Sequence, residues 1–228
     1  MAYSKLNKLL YTYIDTGFSN SKYLYFRIIM ASLLFYNKPI VLNKVEHADT
    51  RIKPSGDDYS FAAKTNSVIL AGVEFAVAAN EYPLVFAQAG GQVVPVALLG
   101  LRNEENLFIA DDGNWDARYL HAFVWRYPFV LAETGEEGQR VVCIDESFTG
   151  FSSEDGEALF EDGEATPLLT QAIDFLEEYQ EQYIRTERFV KRLSENDLLM
   201  PLNAKVDMSD GEQLALTGLL AVDEKKML

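Results

Sequence analysis

The chain has 228 residues, 48% of them apolar and 12% aromatic, the composition of a folded protein with one good core or at most two small ones, and not of a disordered one. Its 35 acidic residues against 20 basic ones give a formal net charge of −15, which excludes non-specific attachment to nucleic acid or an anionic membrane, since both need a basic face. A single cysteine, Cys143, excludes an internal disulfide; its setting, Val141-Val142-Cys143-Ile144, reads as a buried, inert thiol.

The most apolar window is Tyr23–Tyr36, interrupted by Arg27 and Ser32. It falls short of the ~20 residues that span a bilayer. It also lacks the charged, apolar, small-residue order of a cleavable signal. Residues 1–29, rich in Tyr, Asn, Ser and Lys, are expected to be an upstream extension or a disordered segment, with Met30 as the natural start. Residues 30–228 are then expected to form one domain. A cytoplasmic location follows from this reading, with surface association through another export route as the alternative.

Short strands are expected at Ser32–Tyr36 and Ile40–Leu42 around an Asn37-Lys38-Pro39 turn, with another extended piece at Arg51–Pro54. Leu70, Val73, Ala76, Val77 and Ala79 suggest a helix over Val68–Glu81. Strands are expected at Pro83–Gln88, Val93–Leu101 and Asn106–Ala110. Asp111-Asp112-Gly113-Asn114 is a tight turn by residue type. A short helix or helical turn over Arg118–Arg126 precedes a hairpin of Pro128–Glu133 and Arg140–Asp145. An acidic stretch, Ser152–Glu164, carries Leu159 and Phe160 as an apolar anchor. Thr166 and Pro167 open a long helix to about Gln182, resuming at Thr186 and reaching Ser194 or beyond. Leu198-Leu199-Met200-Pro201 ends it, and a strand is expected at Leu214–Val222. The sum is an α+β fold, mainly antiparallel sheet, with short helices before two Tyr-Pro strands and a long C-terminal helix.

Those two strands repeat each other. Tyr82-Pro83-Leu84-Val85-Phe86-Ala87 returns as Tyr127-Pro128-Phe129-Val130-Leu131-Ala132. Proline keeps the residue before it out of the α region, so each Tyr stops a helix and opens a buried strand.

Chemistry-bearing motifs are sparse. Asp111–Asp116 has carboxylates about a glycine but not in the order of a calcium loop, so it reads as a turn. His47 and His121 have no second ligand at helical or strand spacing, and no metal site is expected. Gly90-Gly91 lacks the phosphate-loop lysine. No cofactor is expected. Glu74 stands alone among Ala71, Gly72, Val73, Phe75 and Ala76. Facing inward, it must be paired or protonated, and Arg126 is the expected partner.

These stretches together resemble the SapC-like family of bacterial proteins. The matching pieces are Leu34-Phe35-Tyr36-Asn37-Lys38-Pro39, Gly72-Val73-Glu74-Phe75, Glu81-Tyr82-Pro83-Leu84-Val85-Phe86 and Ala97-Leu98-Leu99-Gly100-Leu101. Further on come Asn106-Leu107-Phe108-Ile109, Gly113-Asn114-Trp115, Tyr119, Arg126-Tyr127-Pro128-Phe129, Cys143-Ile144-Asp145-Glu146 and Gly156-Glu157-Ala158-Leu159-Phe160. His121 and Trp125 depart from the family pattern, where Pro and Arg are expected. The resemblance implies an association by name with bacterial surface layers, and neighbours such as halogenase-like flavoproteins, cupin-like proteins and outer-membrane receptors. It implies no defined activity. A peptide-transport permease of the same name is excluded by the lack of a spanning segment.

Three functions are therefore set against each other. The first is a non-enzymatic accessory protein with a protein partner, a halogenase-like flavoprotein or an outer-membrane receptor system, bound through aromatics such as Trp115, Tyr119 and Trp125. The second is a small-ligand binder or enzyme with a pocket around Glu74, Asn106, Tyr119 and Arg126. The third is a structural subunit of a surface layer.

Overall fold

The computed structural model describes residues 34–53, 58–89, 91–133, 140–208, 211 and 213–227. The expected extension over residues 1–29, the Met30 start and Ser32–Leu33 lie outside the described residues; Leu34–Tyr36, expected as strand, form a turn and an irregular residue instead.

In chain order the elements begin with β1 (Pro39–Val41), β2 (Arg51–Ile52), β3 (Ser67–Ile69), α1 (Phe75–Ala78), β4 (Leu84–Ala89) and β5 (Gln92–Leu98). Next come α2 (Ala122–Trp125), β6 (Phe129–Glu133), β7 (Arg140–Asp145) and four two-residue strands, β8 (Phe151–Ser152), β9 (Glu157–Ala158), β10 (Phe160–Glu161) and β11 (Glu164–Ala165). The chain closes with α3 (Pro167–Glu195), β12 (Leu199–Asp207), β13 (Gln213–Val222) and α4 (Glu224–Met227). The fold is mixed α and β, and every strand pairing is antiparallel. No helix among the described residues is long and apolar enough to cross a membrane.

The two Tyr-Pro segments build two matching three-stranded units. In the first, the order is β3-β5-β4; in the second it is β1-β7-β6. Their registers superpose. Ser67 faces Leu98 as Pro39 faces Asp145, and Ile69 faces Val96 as Val41 faces Cys143. In each unit the proline carbonyl accepts the N–H that follows, Leu98 to Pro83 and Asp145 to Pro128, both at 3.0 Å. The first unit is widened by β13 and β12, giving a five-stranded sheet β12-β13-β4-β5-β3. Side chains of both units fill one main core, among them Val68, Val85, Val96, Val130, Ala132 and Cys143. Burial raises the Cys143 thiol to about 11, as expected of an inert thiol.

Helix α3 closes the core. Thr166 caps it, accepting the Leu169 N–H, and Pro167 opens its first turn. It runs unbroken for 29 residues, where a break before Thr186 was expected. The Thr186 hydroxyl donates to the Gln182 carbonyl and accepts the Gly72 N–H, so a residue that reads as a restart is held inside the helix.

Three further expected elements differ. The helix expected over Val68–Glu81 is a strand, a 3₁₀ turn (Gly72–Glu74) and the four-residue α1. Val68 and Ile69 are β-branched and find a partner strand in β5, while Val73 and Val77 of the supposed apolar face point to solvent. The strand expected at Asn106–Ala110 is a loop with one bridge, Ile109 to Trp115. There the Asn106 side chain takes the Phe108 N–H that a ladder would need. The helix expected over Arg118–Arg126 shrinks to α2, because Glu81 accepts the Arg118 N–H and Glu74 accepts the Ala122 N–H.

Candidate functional site

Glu74 lies at the end of the 3₁₀ turn and is 4% exposed. Its Oε2 accepts the Ala71 N–H at 2.8 Å, the reciprocal half of a capping box. Its Oε1 accepts the Tyr119 hydroxyl at 2.8 Å and the Ala122 N–H at 2.9 Å. The carboxylate thus ties the start of α1 to the start of α2. Burial, then the bond to Glu74, raises the Tyr119 hydroxyl above its ordinary value, so Tyr119 is a donor and not a proton source.

Arg126 ends α2 and is also buried. Its guanidinium lies over the Phe123 ring at 4.1 Å and reaches the rings of Tyr179 at 5.2 Å and Tyr36 at 5.9 Å. Tyr36 donates its hydroxyl to the Phe129 carbonyl at 2.6 Å and bonds the Arg126 side chain. Burial raises Tyr36 to about 12 although Arg126 opposes it. Burial raises the Tyr179 hydroxyl above its ordinary value, with Arg126 opposing the shift and Glu74 adding to it.

Asn106 and Trp115 make no hydrogen bond to Glu74 among the described residues. Asn106 is a loop staple, its side-chain N–H donating to the Ala62 carbonyl at 3.1 Å. The Trp115 indole N–H donates to the Tyr82 hydroxyl at 2.9 Å, and Tyr82 in turn donates to the Tyr119 carbonyl at 2.6 Å. Gly113 lets this loop close. Its φ is +86°, and a Cβ there would meet Asp58 Oδ1 at 2.6 Å and Ser60 Oγ at 2.7 Å. Of the expected set, the fold joins Glu74 to Tyr119 by a hydrogen bond, packs Arg126 over the rings of Phe123, Tyr179 and Tyr36, and uses Asn106 as a loop staple.

Two buried polar residues lie outside the expected site set. His121 is fully buried between the rings of Tyr82, Trp115 and Tyr119, at 4.3, 5.8 and 5.6 Å, and neither ring nitrogen has a hydrogen-bond partner among the described residues. Burial lowers it to about 4, so it is neutral at pH 7. The signal was positional: His121 precedes α2 as Glu74 precedes α1. Asp145, also fully buried, accepts the N–H groups of Asn37, Lys38 and Ser147 and the hydroxyls of Ser147 and Tyr127. Burial pushes its carboxyl up, but the bonds from Ser147, Asn37 and Lys38 outweigh it and hold the group below the usual range.

An open depression of about 400 Å³ is lined by Glu46, Asp49, Thr50, Phe151, Ser152 and Ser153, none of them among the expected site residues. Among the described residues no group of three or more His, Cys, Asp or Glu is placed to hold a metal.

The motifs behind the family resemblance thus have structural work. Asn37-Lys38 and Asp145 form one pin, Glu74 and Tyr119 another, Gly113 and Trp115 a third. No curated protein and no solved structure matches the chain. Residues 42–228 match SapC, so the chain belongs to the SapC family.

Proposed function

We propose that this SapC-family protein is a non-enzymatic accessory protein that binds another protein through an apolar band beside α3. The observation that carries this reading is the exposure of Val73 (66%), Trp125 (59%), Phe189 (44%) and Val77 (43%) on elements lined along one helix. Trp125 stands edge-on to Phe175 at 4.5 Å, Gly72 is bonded to Thr186, and Phe75 meets Phe189 at 6.5 Å. Aromatic and aliphatic side chains left in water favour burial against a partner, and Trp is prominent among binding hot spots. Glu74 supports the same side of the choice: its three donors come from the chain itself, so its carboxylate holds the fold together.

Halogenase-like flavoproteins and outer-membrane receptor systems are the first partners to test. The experiment compares tagged wild type with a Val73→Asp, Val77→Asp, Trp125→Ala triple variant of matching circular dichroism. Retention of one stoichiometric protein by wild type and its loss from the variant is the expected result. Identical retained sets would overturn the reading. So would an empty wild-type pull-down accompanied by a small molecule that raises Tm only when Glu74 is intact.

A further inference from the structure

The C-terminal hairpin outruns the body it is attached to. β13 pairs with β4 at Leu219 and Leu220 only, while β12 and β13 pair with each other as far as Asp207 and Gln213. The part from Ala204 to Asp207 and Gln213 to Leu216 is thus a two-stranded ribbon. Its inner face pairs Ala204 with Leu216 and Val206 with Leu214. All four are half-buried, and none belongs to the three apolar cores, whereas Leu202, Leu219, Leu220 and Val222 nearer the body do. A two-stranded ribbon is marginal in water, and a further strand is what stabilises one. The outer edge of β12 is where a strand can add, because among the described residues β12 pairs with β13 alone.

We propose that this strand is β12 of a second copy of the chain, paired antiparallel across a twofold axis through Val206. The charge pattern carries the choice of occupant and register. Lys205 and Asp207 are both exposed on the outer face, and Lys205 makes no ion pair among the described residues. A twofold through Val206 sets Lys205 against the partner subunit's Asp207, and the same pair recurs by symmetry. Ala204 then faces the partner subunit's Met208, so the apolar face continues from one copy into the other. An axis through Lys205 or Asp207 opposes like charges, and one through Ala204 sets Asp207 against a proline. Shifts of half a register put apolar against polar faces. Pro201 lacks an N–H and marks the end of the pairing segment toward the body.

Pro and Lys on an edge strand also serve to prevent pairing, and a protein that remains monomeric is the outcome of that reading. The ribbon shares no residue with the Val73–Trp125 band, so the two proposals fail separately.

The test is sedimentation velocity on the full chain with charge reversals. Wild type is expected to associate with concentration up to roughly 100 μM, the range of a small interface, and less so at high salt. Lys205→Asp alone and Asp207→Lys alone each turn two attractive pairs into two repulsive ones and raise the dimer Kd by roughly tenfold or more. Mixing the two single variants restores association, since each then meets its opposite charges; so does the Lys205→Asp/Asp207→Lys double variant. A monomeric wild type overturns the proposal. So does a dimer that ignores the single reversals, or one that neither the mixture nor the double variant restores.

Discussion

The two Tyr-Pro units share strand order, register and the proline-carbonyl bond, yet their buried polar groups differ at every matched position. Where the first unit has Leu98, the second has Asp145; where the first has Glu74 before its short helix, the second has His121. Tyr82 turns its hydroxyl to a backbone carbonyl and an indole, while Tyr127 turns its hydroxyl to Asp145. The comparison separates two kinds of information. Hairpin pairing and the Tyr-Pro stop build the frame, and a frame of backbone bonds tolerates different side chains. The pins are specific, because a buried carboxylate persists only where every lone pair finds a donor.

Exchanging the pins breaks the comparison hardest. Asp145→Leu gives the second unit the residue of the first and strands the donors of Asn37, Lys38, Ser147 and Tyr127. Urea unfolding is expected to show a loss of about 4 kcal/mol, the range for breaking a buried charged network. A loss below about 1 kcal/mol would mean that the pin carries no stability. Glu74→Ala leaves three donors without an acceptor and is expected to cost roughly 3 kcal/mol, with Glu74→Gln recovering part of it by keeping one oxygen.

Acid tests the second unit's own buried groups, His121 and Asp145. The folded His121 value, about 4, is below the ordinary 6.5, so the unfolded chain binds the proton more readily. His121 therefore costs nothing above pH 6.5, and stability falls by up to roughly 3 kcal/mol as pH drops from 6.5 to 4. His121→Phe should flatten that part of the stability profile; an unchanged slope would show that the imidazole is hydrated or paired in solution. Asp145 contributes in the same direction but lower, its stability being present above the ordinary carboxylate value and lost as pH falls through its depressed one.

The smallest effect distinguishes the two tyrosines. Tyr82→Phe removes one bond given and one received, at about 2 kcal/mol, and Tyr127→Phe removes one bond of 3.2 Å, at about 1 kcal/mol. Equal losses in thermal unfolding would deny that the units use their tyrosines differently.

The sequence by itself determined the features whose causes are local. Proline after tyrosine stops a helix wherever it stands, Thr166-Pro167 caps and opens one, and the alternation of apolar residues with turn formers marks the two hairpins. The sequence marked Glu74 as an isolated carboxylate in an apolar run, but only the structure decided that it is buried. Only the tertiary structure decided what depended on distant partners. Val68-Ile69 became strand because β5 lies beside it, and α3 ran through Thr186 because Gly72 supplies a donor there. Glu74 met Tyr119 and Ala122 across more than 40 positions, and Asn106 went to a loop staple instead. Local propensity is worth tenths of a kcal/mol per residue, whereas satisfying a buried charge or completing a sheet is worth several, so the long-range contacts prevail where the two disagree.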